Sequence, residues 1–520
     1  MNTLIHDAGQ AFERAIALVR GTELHALLDF LLRCRARLEA PMQVALVGEI
    51  CSSKSTLANA MLGGEEIVRT GSMEETFNVS WLKHGDAESP VEVFFKPPSY
   101  GKQTVPRNQW AAWANRQGSE TLSQAVSYIE VCHDSPMLHT FQLIDTPGLN
   151  AVNGIDSRNT LDFLEHHPPD AIVLLFSKSI AGHILEVVRL FQGRLSQGIS
   201  PINAVGVLAK IDDYWPEENE PLTAGARVVK RLMEREPQVR ATLFRLYPLC
   251  ARLALGARTL TEEDLLSLAG LTRLPPARFD TMVRSVHRFL NVKATPDLTS
   301  ETRAYLLGKL TRYGVATAVA FLRQQSSASL ETVKRHLLGL SGFDRFLRDV
   351  TEHFGNRAYL IKLSRLLGAI QGMVQQYVED RKGIAIAREV GGIFTDLALG
   401  HQAFKELDLL RQYYHGDLVL SSEEELELQR ITGELGLSLR ERLGLGTPTT
   451  IAAMGRTAIE RELYWNTRLV TAMEPEMKNF ARVLKGSYRE IQQQVETSHR
   501  RLLEAQTALF GEDRRETHEQ

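Results

Sequence analysis

Cysteine is scarce in this chain. Four residues, Cys34, Cys51, Cys132 and Cys250, are scattered over 520 positions in no metal-ligand spacing. That excludes a disulfide framework and a zinc ribbon, and it fits a reducing compartment. Long apolar runs are lacking too: no stretch approaches the ~18 consecutive apolar residues that a membrane-spanning helix needs. The opening MNTLIHDAGQAFERAIALVRG has no basic start, compact apolar core or small-residue cleavage site, and so does not read as a signal peptide. Neither sign of charge dominates. With 60 basic and 63 acidic residues, formal charge −3, no broad surface for nucleic acid is expected. Proline is low at 19 residues, most of them before residue 300, which divides the chain into two textures. What is present, 43% hydrophobic and 24% charged residues, is the mix of a globular chain. At ~150 residues per domain it implies about two to four domains.

Residues 1–40 read as helix. Phe12, Ile16, Val19, Leu24, Leu27, Leu28 and Leu31 recur at spacings of three and four and make one apolar stripe, and Pro41 ends it. From 42 to about 295 short apolar runs alternate with helical patterns: Gln43–Val47, Phe141–Ile144, Ala171–Phe176, Ala204–Leu208 and Leu246–Leu249. Their hydrophobicity is continuous rather than alternating, as in strands buried on both faces of a parallel sheet, so a three-layer α/β domain is expected. From Leu298 onward almost every window has helical period, as in Leu363, Leu366, Leu367, Ile370, Met373, Val374 and Tyr377, and in Leu484, Tyr488, Ile491, Val495 and Leu502. Ser422 with Glu425 predicts a capping box. No short internal repeat occurs, and GEDRRETHEQ at the end reads as a polar tail.

Gly48-Glu-Ile-Cys-Ser-Ser-Lys-Ser55 follows the strand Gln43–Val47 and opens a helix, the context of a phosphate-binding loop. Backbone N–H groups of Gly48, Cys51, Ser52, Ser53 and Thr56 would wrap phosphate oxygens at a helix N-terminus. Lys54 would reach the β/γ-phosphates and Ser55 would ligate Mg²⁺. The pattern asks for glycine before the lysine, and this chain has Ser53; a positive φ there costs about 1–2 kcal/mol.

Asp145-Thr-Pro-Gly148 stands at the C-terminal end of Phe141–Ile144, where ligands bind in open α/β sheets. Asp145 would hold Mg²⁺ through water, and the Gly148 N–H would sense a γ-phosphate. A third loop, Ala209-Lys210-Ile211-Asp212, follows Ala204–Leu208. The Asp212 carboxylate can accept from both N1–H and N2–H of guanine, a donor pair that adenine lacks, while the Lys210 stem covers the base. Ala209 stands where Asn or Thr is usual. Leu249-Cys250-Ala251-Arg252 follows the next strand, where guanine-binding domains place a small-residue loop against the base. Between Lys54 and Asp145 the switch segment is expected at Thr70–Phe77, with Thr76 offered to Mg²⁺ and to catalysis alongside Lys54.

Four loops in this order, a long first-to-third interval and a helical remainder resemble the dynamin superfamily of large GTPases, and more narrowly the bacterial dynamin-like proteins. Their phosphate loop commonly runs Gly-Glu-Phe-x-x-Gly-Lys-Ser-Thr-Leu-x-Asn-Ala-Leu-x-Gly, and here the run is GEICSSKSTLANAMLG from Gly48 to Gly63. Tyr313-Gly-Val-Ala316, Ser341-Gly-Phe343 and Phe354-Gly-Asn-Arg-Ala358 resemble the isoniazid-inducible branch. The resemblance implies an α/β P-loop GTPase domain with a mostly parallel sheet plus an elongated all-α bundle: a neck helix at 1–40, the GTPase domain at 41–295, and trunk with returning neck helix at 296–520. It further implies GTP and Mg²⁺ as cofactors, self-association through the heads, a cytoplasmic protein peripheral to the inner face of the cell membrane, and coupling of nucleotide state to a membrane lipid surface. Animal dynamins carry a polar catalytic residue where this loop has Ile50 and Cys51, and no glutamine follows Asp145–Gly148. Slow or dimerisation-dependent hydrolysis is expected. The alternative is a GTP-dependent switch acting through protein partners, with hydrolysis weak. Two glycine-broken segments, 381–394 and 433–448, hold apolar residues flanked by arginine, the character of a lipid-contacting tip or of an inter-helix turn.

Overall fold

The computed structural model describes residues 2–49, 51–64, 67–68, 78–96, 101–114, 125–149, 155–176, 202–291, 298–380 and 383–510. They form two units, one made of Met1–Ala40 with Glu352–Gln520 and the other of Pro41–Thr351. The expected lipid-tip residues Arg381 and Lys382, the switch segment with Thr76, and the polar tail lie outside the described residues.

The first unit begins with α1 (Asn2–Val19) and α2 (His25–Glu39). The sequence stripe predicts one helix here; two form, because the chain turns at Gly21 with φ 82° and the Thr22 hydroxyl caps the first by donating to the Val19 carbonyl at 2.7 Å.

The chain then enters the second unit, a nine-stranded sheet in the order β4-β3-β5-β2-β6-β1-β7-β8-β9. Five strands, β1 (Met42–Gly48), β6 (Phe141–Asp145), β7 (Ala171–Phe176), β8 (Ala204–Ala209) and β9 (Leu246–Leu249), run parallel. These are the five continuous apolar runs of the sequence. Every residue of β7 and β8 is buried, so both faces of the sheet are covered. The other half, β2 (Val79–His84), β3 (Val91–Phe95), β4 (Lys102–Val105) and β5 (Val126–His133), joins through an antiparallel β2–β6 pairing. Its strands mix polar and apolar residues, and this hid them from a search for continuous runs. The helices of this unit used below are α3 (Lys54–Met61), α4 (Ile155–His166), α5 (Pro221–Arg235), α6 (Ala251–Arg258), α7 (Ser300–Gln324), α8 (Leu330–Ser341) and α9 (Phe343–Val350).

Helices α7 to α9 belong to this unit, although their helical texture placed residues from 296 onward in the bundle. The reason is close packing on α6. A Cβ on Gly256 would stand 2.1 Å from the Lys309 carbonyl oxygen, and one on Gly314 would stand 2.6 Å from Leu253 Cδ1. The Cys250 N–H donates to the Ser341 carbonyl at 2.9 Å, and Lys309 pairs with buried Asp264 at 2.6 Å.

After a π-helical turn at Thr351–Gly355 the first unit resumes with α10 (Asn356–Glu379), α11 (Ile384–Gly400), α12 (Gln402–His415), α13 (Ser422–Ile431), α14 (Ile451–Thr471) and α15 (Pro475–Phe510). Helix α1 packs on α11, with Phe12 edge-on to Phe394 at 5.0 Å. Helix α2 packs on α10, where the Lys362 ammonium donates to the Leu38 carbonyl at 2.7 Å. Helices α14 and α15 form a hairpin around Trp465 and Phe480. The apolar stripe of α15 is buried at Leu484, Tyr488, Ile491 and Val495, and ends before the half-exposed Leu502. The capping box at α13 is shifted by one residue: Ser421 is the cap and Glu424 its partner. Two adjacent serines before three glutamates allow either register, and the extended backbone of Ser421 selects this one. The second glycine-broken segment exposes Leu435 and Leu437. Val390, Ile393 and Phe394 are buried in α11, and Arg442 of the second segment pairs with buried Glu406 at 2.7 Å. Among the described residues no helix is long and apolar enough to cross a membrane.

Candidate nucleotide site

The loop from Gly48 joins β1 to α3 at the C-terminal edge of the parallel strands. Two of its residues, Cys51 (φ 59°) and Ser53 (φ 69°, ψ 30°), hold left-handed backbone. The sequence flagged Ser53; the strain at Cys51 escaped it, since no pattern rule marks that position. Replacing Ser53 by glycine removes the Cβ penalty of this conformation, and we expect stability to rise by about 1 kcal/mol and the melting temperature by about 1–3 °C. Calorimetry of the full chain checks this; an unchanged or lower melting temperature would mean that the strain is already compensated.

Lys54 is buried and curls back into its own loop, where its ammonium donates to the carbonyls of Gly48 (3.2 Å) and Glu49 (3.0 Å). Burial pulls its pKa down to about 8, against the opposing pull of Asp145, Cys51 and Glu49. The Ser55 hydroxyl donates to Asp145 Oδ2 at 2.8 Å. Asp145 is fully buried, and burial raises its pKa to about 6 despite Ser55 and Lys54. Its Oδ1 and the Ser52 hydroxyl are buried with no hydrogen-bond partner. A hydroxyl and a carboxylate in contact, with one carboxylate oxygen unused, suit a hard cation that keeps waters and phosphate oxygens as its other ligands. The Asp145–Gly148 loop docks on the phosphate loop: the Leu149 N–H, next to Gly148, donates to the Gly48 carbonyl at 2.9 Å, and the Thr146 hydroxyl donates to the Leu46 carbonyl at 2.7 Å.

The loops after β8 and β9 meet this one across a cavity of about 370 Å³. Cys51, Ser53 and Thr56 line it from the phosphate loop, and Lys210 and Asp212 from the loop after β8. Lys210 holds left-handed backbone (φ 58°, ψ 37°) and caps the short turn Ile211–Tyr214 that presents Asp212. The Cys250 thiol donates to Asp212 Oδ1 at 3.0 Å and accepts from the Leu253 N–H at 3.4 Å. Burial pushes the Cys250 thiol well up, so it stays a protonated donor, and burial also raises Asp212. The structure therefore brings Cys51, Ser53 and Thr56 together with Lys210, Asp212 and Cys250 around one cavity, and sets Ser55 in contact with Asp145, whose carboxylate also feels the Lys54 charge. Among the further lining residues, Asp213, Arg252 and Thr311 had no assigned role in the sequence. Arg252 adjoins the Cys250 loop, whereas Thr311 lies on α7 and no motif announced it.

Residues 44–211 match the model of the dynamin family. From β1 to the loop after β8 the α/β head resembles the dynamin family. Beyond the head, the chain is 24% identical over 474 residues to the isoniazid-induced protein IniC of Mycobacterium tuberculosis, a match spanning 90% of this chain and 92% of that protein. It is 26% identical over 239 residues to the probable transmembrane GTPase FZO-like, chloroplastic, of Arabidopsis thaliana, spanning 45% of this chain and 22% of that one. Among solved structures, a chain of an oligomerised bacterial dynamin pair aligns with 97% of this chain and 74% of its own, at 12% identity and TM-score 0.33. The loops that follow β1, β6 and β8 lie within the matched residues. The ninth strand and α7 to α9 lie beyond the matched residues, yet β9 and α7 supply Cys250 and Thr311 to the same cavity.

Proposed function

We propose that the head binds GTP with Mg²⁺ and hydrolyses it slowly, and that its nucleotide state governs self-association and contact with a membrane surface. The observation that carries the reading is one cavity lined by both the phosphate loop and the Asp212–Cys250 pair. Backbone N–H groups of the loop and the Lys54 ammonium would hold the phosphates, and Ser55 and Asp145 would hold the Mg²⁺. When bound, the cation neutralises charge developing on the phosphate oxygens. Asp212 orients the base, and the Cys250 thiol fixes the carboxylate while leaving its other oxygen for the N1–H and N2–H donors. Among the described residues few groups would polarise the attacking water. Phosphoryl transfer depends on positioning and charge stabilisation, so a second head completing the site accounts for hydrolysis better than one head alone. Membrane association and partner heads rest on the dynamin likeness, with no residue of the bundle assigned to either.

Turnover should therefore rise with protein concentration, and further in the presence of liposomes. GTP binding and phosphate release measured across a concentration series, with and without vesicles, test this. A constant specific activity defeats head pairing; binding with no turnover under any condition favours the switch reading, which Ser53 and Ala209 support.

Affinity for Mg²⁺–GTP should follow a bell-shaped pH curve. Asp145 must be ionised to hold the cation, and its raised pKa of about 6 makes affinity fall as pH drops through that value. Lys54 must be protonated to hold phosphate, and its lowered pKa of about 8 makes affinity fall as pH rises through that value. Titration calorimetry from pH 5 to about 9 would show the maximum near 7, with each limb approaching tenfold per pH unit. A curve flat from 5 to 7 contradicts the role of Asp145.

A further inference from the structure

Helix α7 is regular except at Thr311, which has φ 63° and ψ 173°. This region is nearly glycine-only, and a β-branched residue in it costs about 1–3 kcal/mol, a strain that persists only where the surroundings over-determine it. Here they do. Lys309 on one side is held against Gly256, and Gly314 on the other is held against Leu253, so the helix is pinned to α6 on both flanks of the distortion. Arg312, the next residue, donates to the Arg284 carbonyl at 2.6 Å. The distortion puts Thr311 on the wall of the nucleotide cavity.

Its side chain does not do what a helical threonine usually does. In the same helix the Thr317 hydroxyl returns to the Tyr313 carbonyl at 2.9 Å, a local bond that ordinary helical geometry offers. The Thr311 hydroxyl is buried and closes no full hydrogen bond, although it lies near enough to the Asp212 carboxylate to favour its ionised form. A buried orphan hydroxyl on a strained residue at the wall of a ligand cavity calls for a ligand-linked explanation.

Resting on the guanine-nucleotide reading of this cavity, we propose that Thr311 is a positioning residue for base recognition, steadying the Asp212 carboxylate so that it discriminates a purine bearing a 2-amino group. Asp212 Oδ1 is engaged by the Cys250 thiol, on the side of the loop after β9. With a base bound, the orphan Thr311 hydroxyl on α7 would supply a second donor and fix the carboxylate plane, as simultaneous acceptance from N1–H and N2–H requires. The base site then extends onto a helix outside the family-matched residues 44–211.

The test compares GDP with IDP, which lacks the 2-amino group, in wild type, Thr311→Val, Thr311→Ser, Thr311→Gly and Asp212→Asn. Valine is near-isosteric and removes only the hydroxyl. We expect Thr311→Val to lower the GDP:IDP affinity ratio by about five- to tenfold, with IDP affinity changed less than about twofold. Thr311→Ser should keep the wild-type ratio. Thr311→Gly should lower the ratio like valine while raising the melting temperature, because the backbone strain is relieved. A ratio within twofold of wild type in both Thr311→Val and Thr311→Gly, while Asp212→Asn abolishes guanine preference, overturns the proposal and leaves the base reading standing. If Asp212→Asn itself leaves GDP binding unchanged, the base reading fails and the proposal falls with it.

Discussion

Replacing Lys54 by alanine is expected to weaken GTP binding by about two to three orders of magnitude without destabilising the nucleotide-free head. The first half follows from charge: hydrogen bonds to charged groups contribute about 1.5–3 kcal/mol each, a lysine at the β/γ-phosphates makes more than one, and each 1.4 kcal/mol is tenfold. The second half follows from the geometry of the free protein. Lys54 is buried against two backbone carbonyls, and its pKa of about 8 says that burial penalises the charged form. Taken at 1.36 kcal/mol per pKa unit, that penalty is roughly 3 kcal/mol. Truncation removes it while leaving the Gly48 and Glu49 carbonyls without this donor, a loss of similar size. The two changes offset, so the melting temperature of the free protein should stay near the wild-type value while the upward shift caused by GTP disappears. Thermal unfolding with and without nucleotide reads both. Wild-type GTP affinity in the variant would reject the phosphate-site assignment itself.

The largest effect on stability is expected in the other unit, at Arg357. This arginine is 1% exposed. Its guanidinium donates to the Thr432 carbonyl at 2.9 Å, the Thr432 hydroxyl at 2.7 Å, His353 Nδ1 at 2.8 Å and Glu434 Oε2 at 3.3 Å. The Glu434 carboxylate also accepts from Tyr414 at 3.0 Å. One side chain thus ties the start of α10 to the turn after α13, and both ends of the ion pair are desolvated. Removing one partner of a buried pair costs about 3–5 kcal/mol because the other charge stays behind. Arg357→Met should therefore lower the unfolding free energy of the helical unit by about that amount, and Arg357→Lys should fall between, since a single ammonium cannot serve four acceptors at once. Denaturant titration followed by circular dichroism checks the order. Methionine costing less than lysine would show that the network is replaceable by apolar packing.

Arg357 also shows what kind of information the sequence carried. Phe354-Gly-Asn-Arg-Ala358 was recognisable only as a family string; its physical content, a buried clamp on Thr432 and Glu434, depends on residues about 75 positions away, and no local pattern encodes such a distance. The five parallel strands were legible because burial on both faces leaves an uninterrupted apolar run. The phosphate loop and Asp145 were legible because their spacing is local. Strands β2 to β5 alternate or mix polar and apolar residues, which leaves a weaker trace. The division between the units was misplaced because helices α7 to α9 have the same period whether they pack on a sheet domain or on each other. Long-range contacts such as Gly256–Lys309, Gly314–Leu253 and Cys250–Ser341 distinguish the cases. Thr311 was invisible for a related reason: its importance lies in a backbone distortion imposed by those contacts.

The pairing of Met1–Ala40 with Glu352–Gln520 has a consequence for biosynthesis. Helix α1 leaves the ribosome with Phe12, Ile16 and Val19 on one face, and the helix that covers Phe12 begins only at Ile384. At ~5–20 residues per second, the interval is on the order of 20–70 s. During that time the whole sheet domain is synthesised and can fold, while the first two helices have no stable docking surface. A nascent chain of this design depends on a chaperone, or on transient cover by the emerging head, to keep that face from other partners until translation reaches α11.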